Sequence, residues 1–179
     1  MQLFYTGAFK QGEEQQNPVQ SLGGYVSSSQ IPNNVSGNLF SSIDTIEPKT
    51  VVRGIAFYNE STSPLTGLKL WIDLPEDNVG HYEVAIVALA EDDCGFYMER
   101  IQNENATPYL GVFASVDGED NALEIGSMDA ESYYGLWIRR TLNSETANDF
   151  NNCDALYIKY QAEEALPENE TMSLSFSWD

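Results

Sequence analysis

The sequence predicts an all-β protein, an antiparallel β-sandwich of jelly-roll-like or Ig-like type with an extended N-terminal arm. Three observations predict it. Apolar and polar residues alternate with period two in several short runs, which is the signature of half-buried strands. Clusters of Gly, Pro, Asn, Asp and Ser separate those runs and read as turns and loops. No strongly amphipathic helix intervenes, so the strands must pack sheet on sheet or close on themselves.

The runs follow in order. Val51–Tyr58 (VVRGIAFY) is the first clear strand. In Leu68–Leu74 (LKLWIDL), Leu68, Leu70, Ile72 and Leu74 share one face. Tyr82–Ala90 (YEVAIVALA) is apolar on both faces. Gly135–Leu142 (GLWIRRTL) and Ala155–Gln161 (ALYIKYQ) come next. Met172–Trp178 (MSLSFSW) sets Met172, Leu174, Phe176 and Trp178 opposite three serines. The connectors Pro64–Gly67, Pro75–Gly80, Asp117–Asn121 and Asn143–Asn152 carry the turn formers. A short polar helix over Asn34–Ile46 is the one helical expectation.

Residues 1–50 differ from the rest. Gln11–Gln20 is rich in Gln, Glu and Asn, and Ser21–Gly37 in Ser, Gly and Asn. So few apolar residues cannot pack a core alone. This part is expected to form an extended arm and first strand, lying on the sandwich or on a neighbouring subunit; a long irregular loop within one subunit is the alternative. Residues 51–179 form the sandwich, and the 179 residues together make one domain.

Composition excludes several functions. With 28 acidic residues, 8 Lys or Arg and one His, the net charge is −20. Such a surface repels phosphate backbones and anionic lipids, so neither nucleic-acid nor membrane binding is expected. The N-terminal MQLFYTGAFKQGEEQQ has no basic leader and no long apolar stretch, so synthesis in a cytoplasm without export is expected. The sequons at Asn34, Asn59, Asn105 and Asn169 then mark only polar loops. Cys94 and Cys153 form no metal-ligand pattern and are expected to be free thiols.

No catalytic motif emerges, and no enzyme activity or cofactor is expected. His81 is the only histidine and stands just before a strand, so a Ser-His-Asp or Cys-His site would have to use it. Asp117, Glu119 and Asp120 cluster carboxylates as hard cations prefer, but their spacing is not that of a calcium loop; solvated acidic turns, like Glu91-Asp92-Asp93, are the simpler reading. Tyr133, Tyr134 and Trp137 invite a sugar-stacking reading, against which stands ordinary burial in a core or interface.

Three groups of residues resemble a family of tailed-bacteriophage virion structural proteins. The first is Ser21-Leu22-Gly23-Gly24, then Ile31-Pro32-Asn33, then Leu39-Phe40. The second is Arg53 within a strand, Asn59 closing it, and a following strand with Trp71-Ile72. The third is Leu136-Trp137-Ile138-Arg139-Arg140-Thr141, a polar loop, and the strand around Leu156 and Ile158. Leu142-Asn143-Ser144-Glu145 stands where the family's pattern has a Pro-Ala-Gly turn, and Val52 where it has a tyrosine. The resemblance implies a building block of the virion near the head–tail junction or in the tail, homo-oligomeric and bound to other virion proteins. A receptor- or carbohydrate-binding module on the virion surface is the alternative.

An interface expectation follows from the strand alternation. Leu136, Ile138 and Arg140 share one face, with the aliphatic pair toward the core. Trp137 and Arg139 then fall on the outer face, where both residue types are enriched at hot spots. Leu22, Leu39 and Phe40, from the arm, join them as expected interface residues. An internal ion pair of Arg139 with one of the chain's own acids is the competing expectation.

Overall fold

A computed structural model describes residues 1–31, 39–40, 49–73, 81–142, 157–165 and 171–177. The helix expected over 34–46 lies outside the described residues except for Leu39 and Phe40, and the turns at 75–80 and 143–152 lie wholly outside them.

Among the described residues the chain is all-β. The strands are β1 (Gln2–Ala8), β2 (Gly24–Gln30), β3 (Lys49–Tyr58), β4 (Leu65–Asp73), β5 (His81–Ala88), β6 (Ala90–Asp92), β7 (Gly95–Met98), β8 (Ala114–Ser115), β9 (Leu123–Met128), β10 (Tyr133–Leu142), β11 (Tyr157–Ala165) and β12 (Thr171–Ser177). They form an eight-stranded sheet, ordered β6-β7-β2-β1-β3-β10-β5-β8, and a four-stranded sheet, ordered β12-β11-β4-β9. Every strand pair is antiparallel. One isolated parallel bridge, Ile72 to Asp117, ties the chain after β8 to the smaller sheet.

The sandwich core lies between the sheets and follows from the period-two pattern. The larger sheet contributes Leu3, Tyr5, Val51, Ile55, Phe57, Tyr82, Val84, Leu136 and Ile138. The smaller one contributes Leu65, Leu68, Leu70, Ile72, Met128 and Ala162. Leu68, Leu70 and Ile72 do share the buried face. Burying each such aliphatic side chain stabilises the fold by about 1.5–3 kcal/mol.

The first thirty residues are placed differently from an arm laid over the sandwich. β1 sits inside the larger sheet, paired with β2 on one side and β3 on the other. The physical reason is that Leu3 and Tyr5 supply enough apolar surface to join the core, while hydroxyls and amides satisfy the backbone where the ladder breaks. β1 shifts register twice against β2, and it pairs with β3 only from Ile55 to Tyr58. Beyond that, loop carbonyls take over the free edge of β3: Gly54 N donates to Ser21 O at 2.7 Å and Val52 N to Glu104 O at 2.7 Å.

A second, smaller core covers the opposite face of the larger sheet. It contains Val52, Ala85, Val87, Met98, Ile101 and Trp137, with Leu22, Leu89, Ala106 and Phe113 packed at its margin. This accounts for β5 being apolar on both faces: Tyr82 and Val84 point to one core, Ala85 and Val87 to the other. Loop residues 99–113, between β7 and β8, supply Ile101, Ala106 and Phe113 to it.

Candidate functional site

Two of the sequence groups that carry the resemblance, Ser21-Leu22-Gly23-Gly24 and the strand with Leu136 and Trp137, meet around Trp137. β10 runs between β3 and β5, with Trp137 opposite Gly54 on one side and Ala85 on the other. The indole needs room, and two glycines supply it. A Cβ on Gly54 would stand 2.8 Å from Trp137 Cζ3. At Gly23 a Cβ would stand 1.8 Å from Glu99 O and 2.9 Å from Trp137 Cη2, and its φ of +81° is itself a conformation that favours glycine.

Buried hydroxyls hold this glycine segment in place. Ser21 Oγ and Thr6 Oγ1 each donate to Gly54 O at 2.6 Å. Thr6 N donates to Ser21 Oγ at 3.0 Å, and Gly23 N to Thr6 Oγ1 at 3.1 Å. Gln15 Nε2 donates to Thr6 O at 2.6 Å. Each bond satisfies a backbone group that the bulged ladder leaves open, and a missing partner would cost about 1–3 kcal/mol.

Arg53 and Asn59 are structural in the same sense. Arg53 is buried; it donates to Leu39 O, Val52 O and Glu104 Oε2, the last at 2.7 Å. Asn59 is buried too, and its side-chain amide donates to Ser63 O and Asp129 O while its oxygen accepts from Ser61 N. The Asn59 sequon is therefore part of a folded turn.

The structure corrects the outer-face expectation. Trp137 is fully buried in the second core, because loop residues cover the sheet face that alternation had left open. Arg139 is a quarter exposed and pairs with Glu83 of its own chain, Nη2 to Oε2 at 2.7 Å, with its guanidinium 4.1 Å from the Phe113 ring centroid. The internal ion pair is thus the arrangement present. Leu39 and Phe40 lie in the main core, where Phe40 meets Arg53 and Arg140 at 5.8 and 5.0 Å and Tyr82 edge-on. Leu22 is half-buried against the second core. None of the four apolar residues is on open surface.

The other candidates are dispersed. His81 is exposed at the start of β5. Tyr133 packs on Tyr58, Phe4 and Phe96, and Tyr134 stacks on Phe57. Burial raises the Tyr133 hydroxyl pKa, Tyr58 adds to this, and a hydrogen bond with Gln11 opposes it. Asp117 precedes a single 3-10 turn, Glu119–Asn121, in which Asn121 Nδ2 donates to Asp117 O at 3.0 Å. Among the described residues no three His, Cys, Asp or Glu side chains gather to hold a metal ion. No helix among them is long and apolar enough to cross a membrane. Cys94 is a free, exposed thiol, and Cys153 lies outside the described residues.

The surface feature that sequence reasoning missed is the loop Tyr109-Leu110-Gly111-Val112. Five large apolar side chains are exposed among the described residues, and three of them, Tyr109, Leu110 and Val112, fall in this one loop. The signal for it was present as an apolar run after Pro108 without strand alternation. Compared with known proteins, no family model, no curated protein and no solved structure matches the chain.

Proposed function

We propose that this chain is a structural building block of a tailed-bacteriophage particle, a subunit of the head–tail neck, a ring or the tail. The observation that carries the reading is the convergence of the three resembling segments. Phe40 of the first group meets Arg53 of the second and Arg140 of the third in the main core, where Arg53 also donates to Leu39 O, and on the opposite face of the sheet Gly23 of the first group lines Trp137 of the third. Residues that lock one another in this way behave as a packing signature of a fold, which is what a resemblance among structural proteins would preserve.

Two properties support it. A sandwich covered on both faces of its larger sheet is a rigid unit suited to bearing contacts with neighbours. A net charge of −20 would keep passing DNA from sticking to a ring's inner wall. The sugar-binding alternative loses its main support, since Trp137 is fully buried and Tyr133 and Tyr134 pack on neighbouring rings.

Electron microscopy of purified particles labelled with antibody against this chain tests the reading. Label at a fixed position near the neck or along the tail is the expected result. Label at fibre tips or scattered over the capsid would favour the receptor-binding alternative, and particles without label above background would end the proposal.

A further inference from the structure

Tyr58 ends β3 and Tyr133 begins β10, and the two stand directly opposite each other in the ladder. Their neighbours Phe57 and Tyr134 turn toward the main core. Alternation therefore sets Tyr58 and Tyr133 on the other face, where both are half-buried. Their ring centroids are 4.5 Å apart with the planes 31° from parallel, the closest ring pair among the described residues. The pair is caged by rings that carry no hydroxyl. Phe4 meets Tyr58 at 6.4 Å and Tyr133 at 6.2 Å, and Phe96 meets Tyr133 at 5.5 Å. Gln11 fixes the same corner. Its side chain hydrogen-bonds the Tyr133 hydroxyl, its Oε1 accepts from Phe96 N at 2.8 Å, and its N donates to Cys94 O at 3.0 Å.

Two phenols held in contact can be joined by oxidation. Removing one electron and the hydroxyl proton from each gives two phenoxyl radicals, whose unpaired spin lies partly on the ring carbons ortho to oxygen. Those carbons form one C–C bond. The two ortho C–H bonds then break as the rings regain aromaticity, and their hydrogens restore both hydroxyls. The net loss is two electrons and two protons. A peroxide-class oxidant takes the electrons by cleaving its O–O bond, giving two waters from hydrogen peroxide, or two sulfates from persulfate with the protons left to solvent. Phenylalanine is far harder to oxidise than tyrosine, so Phe4 and Phe96 hold the pair without draining the radicals. Prior alignment lets coupling within one chain outrun encounter between chains. Tyr25 and Tyr97 also touch, but at 5.4 Å and a tilt of 55°, a poorer approach for ring carbons.

We propose that Tyr58 and Tyr133 form a site of oxidative cross-linking, joined through their ortho ring carbons by a peroxide-class oxidant into a dityrosine staple between β3 and β10. The bond links residues far apart in the chain, at the ends of two inner strands of the larger sheet. It restricts the unfolded chain as a disulfide does, and so stabilises the fold. The inference does not depend on the virion reading.

The purified chain, in dilute solution, is oxidised by persulfate with a photo-excited ruthenium complex, which acts alike in buffer and in urea. Wild type, Tyr58→Phe and Tyr133→Phe are compared, and circular dichroism checks the fold of each. The monomer is separated before digestion and tandem mass spectrometry. Wild type in buffer is expected to give a peptide pair linked between residues 58 and 133, lighter by two hydrogens than its parts, and dityrosine fluorescence in the monomer. The yield of that link should fall about tenfold or more in urea, where the alignment is lost. Either variant should lose the monomer's fluorescence. The linked wild type should melt at a higher temperature than the unlinked chain. Absence of the 58–133 link from folded wild type overturns the proposal. Equal yield in urea does so too, as does undiminished monomer fluorescence in both folded variants, and a linked chain that melts no higher than the unlinked one removes the staple.

Discussion

The two faces of the larger sheet are buried by different means. The face toward the smaller sheet is covered mainly strand against strand, by aliphatic and aromatic residues from β1, β3, β4, β5, β9, β10 and β11, with Leu39, Phe40 and Val116 added from outside the strands. Contacts of this kind are non-directional, and similar volumes can substitute for one another. The opposite face is covered by loops around one large ring. There, Trp137 fits only because Gly23 and Gly54 lack side chains, and the covering segments are held by directed bonds from Ser21, Thr6 and Gln15. The difference teaches that the second face is the more brittle one, since each loop must keep a particular backbone shape to stay in place.

Trp137→Ala should give the largest loss. It empties the centre of the smaller core, and about 3–5 kcal/mol of unfolding free energy should disappear. Urea unfolding measures this, and a loss below that of a single aliphatic truncation would show that the loop-built face is not a true core. Trp137 Nε1 is buried and has no hydrogen-bond acceptor among the described residues. Trp137→Phe should therefore cost much less than Trp137→Ala, because it also removes an unsatisfied donor.

The two arginine pairs sharpen the same contrast. Arg53 is buried and fastens Leu39 to β3, whereas Arg139 and Glu83 are both part-exposed. Arg53→Met should cost about 1–3 kcal/mol, moderated because its partner Glu104 is a quarter exposed and can rehydrate. Arg139→Met should cost less than about 1 kcal/mol. Equal losses from the two variants, in matched denaturation curves, would break the distinction.

A matched pair of small changes tests tolerance directly. Gly54→Ala adds one methyl group that would meet Trp137 at 2.8 Å, and overpacking of that kind costs about 1–3 kcal/mol. Ile138→Val removes one methylene from the face between the sheets, at about 0.5–1.5 kcal/mol. Gly54→Ala is expected to be the more harmful; the reverse order in thermal melts would make the inner face the brittle one.

The smallest effect concerns the edge near β6. Tyr25 donates its hydroxyl to Asp92 Oδ2 at 2.8 Å, and that bond, ahead of desolvation and the negative charge of Asp92, pushes its pKa from 10.0 up to about 12. The native state therefore holds this proton longer than the unfolded chain. The contribution is complete below pH 10 and is lost as pH rises through about 12. Absorbance titration of wild type against Tyr25→Phe should isolate a late-ionising tyrosine, and Asp92→Asn should bring its ionisation to lower pH. Ionisation of Tyr25 near the ordinary tyrosine value would remove the bond from the account.

Alternation along the chain was enough to determine the all-β class, the central strands and the inward face of β4 and β10, because period two dictates which side chains share a side. It passed over β1 and β2, whose runs are short and rich in Ser, Gly and Thr, and whose bulges are sustained by side-chain bonds between distant residues. Period two is silent on whether the opposite side is open to water. Only the return of residues 99–113 and of Ser21–Gly23 across the sheet decided that Trp137 is buried. Likewise, with 28 acids in the chain, only three-dimensional proximity selected Glu83 as the partner of Arg139. The apolar run at Tyr109–Val112 was legible as residues, but its exposure was not, because Glu99 and the close approach of Gly111 set which way the loop turns.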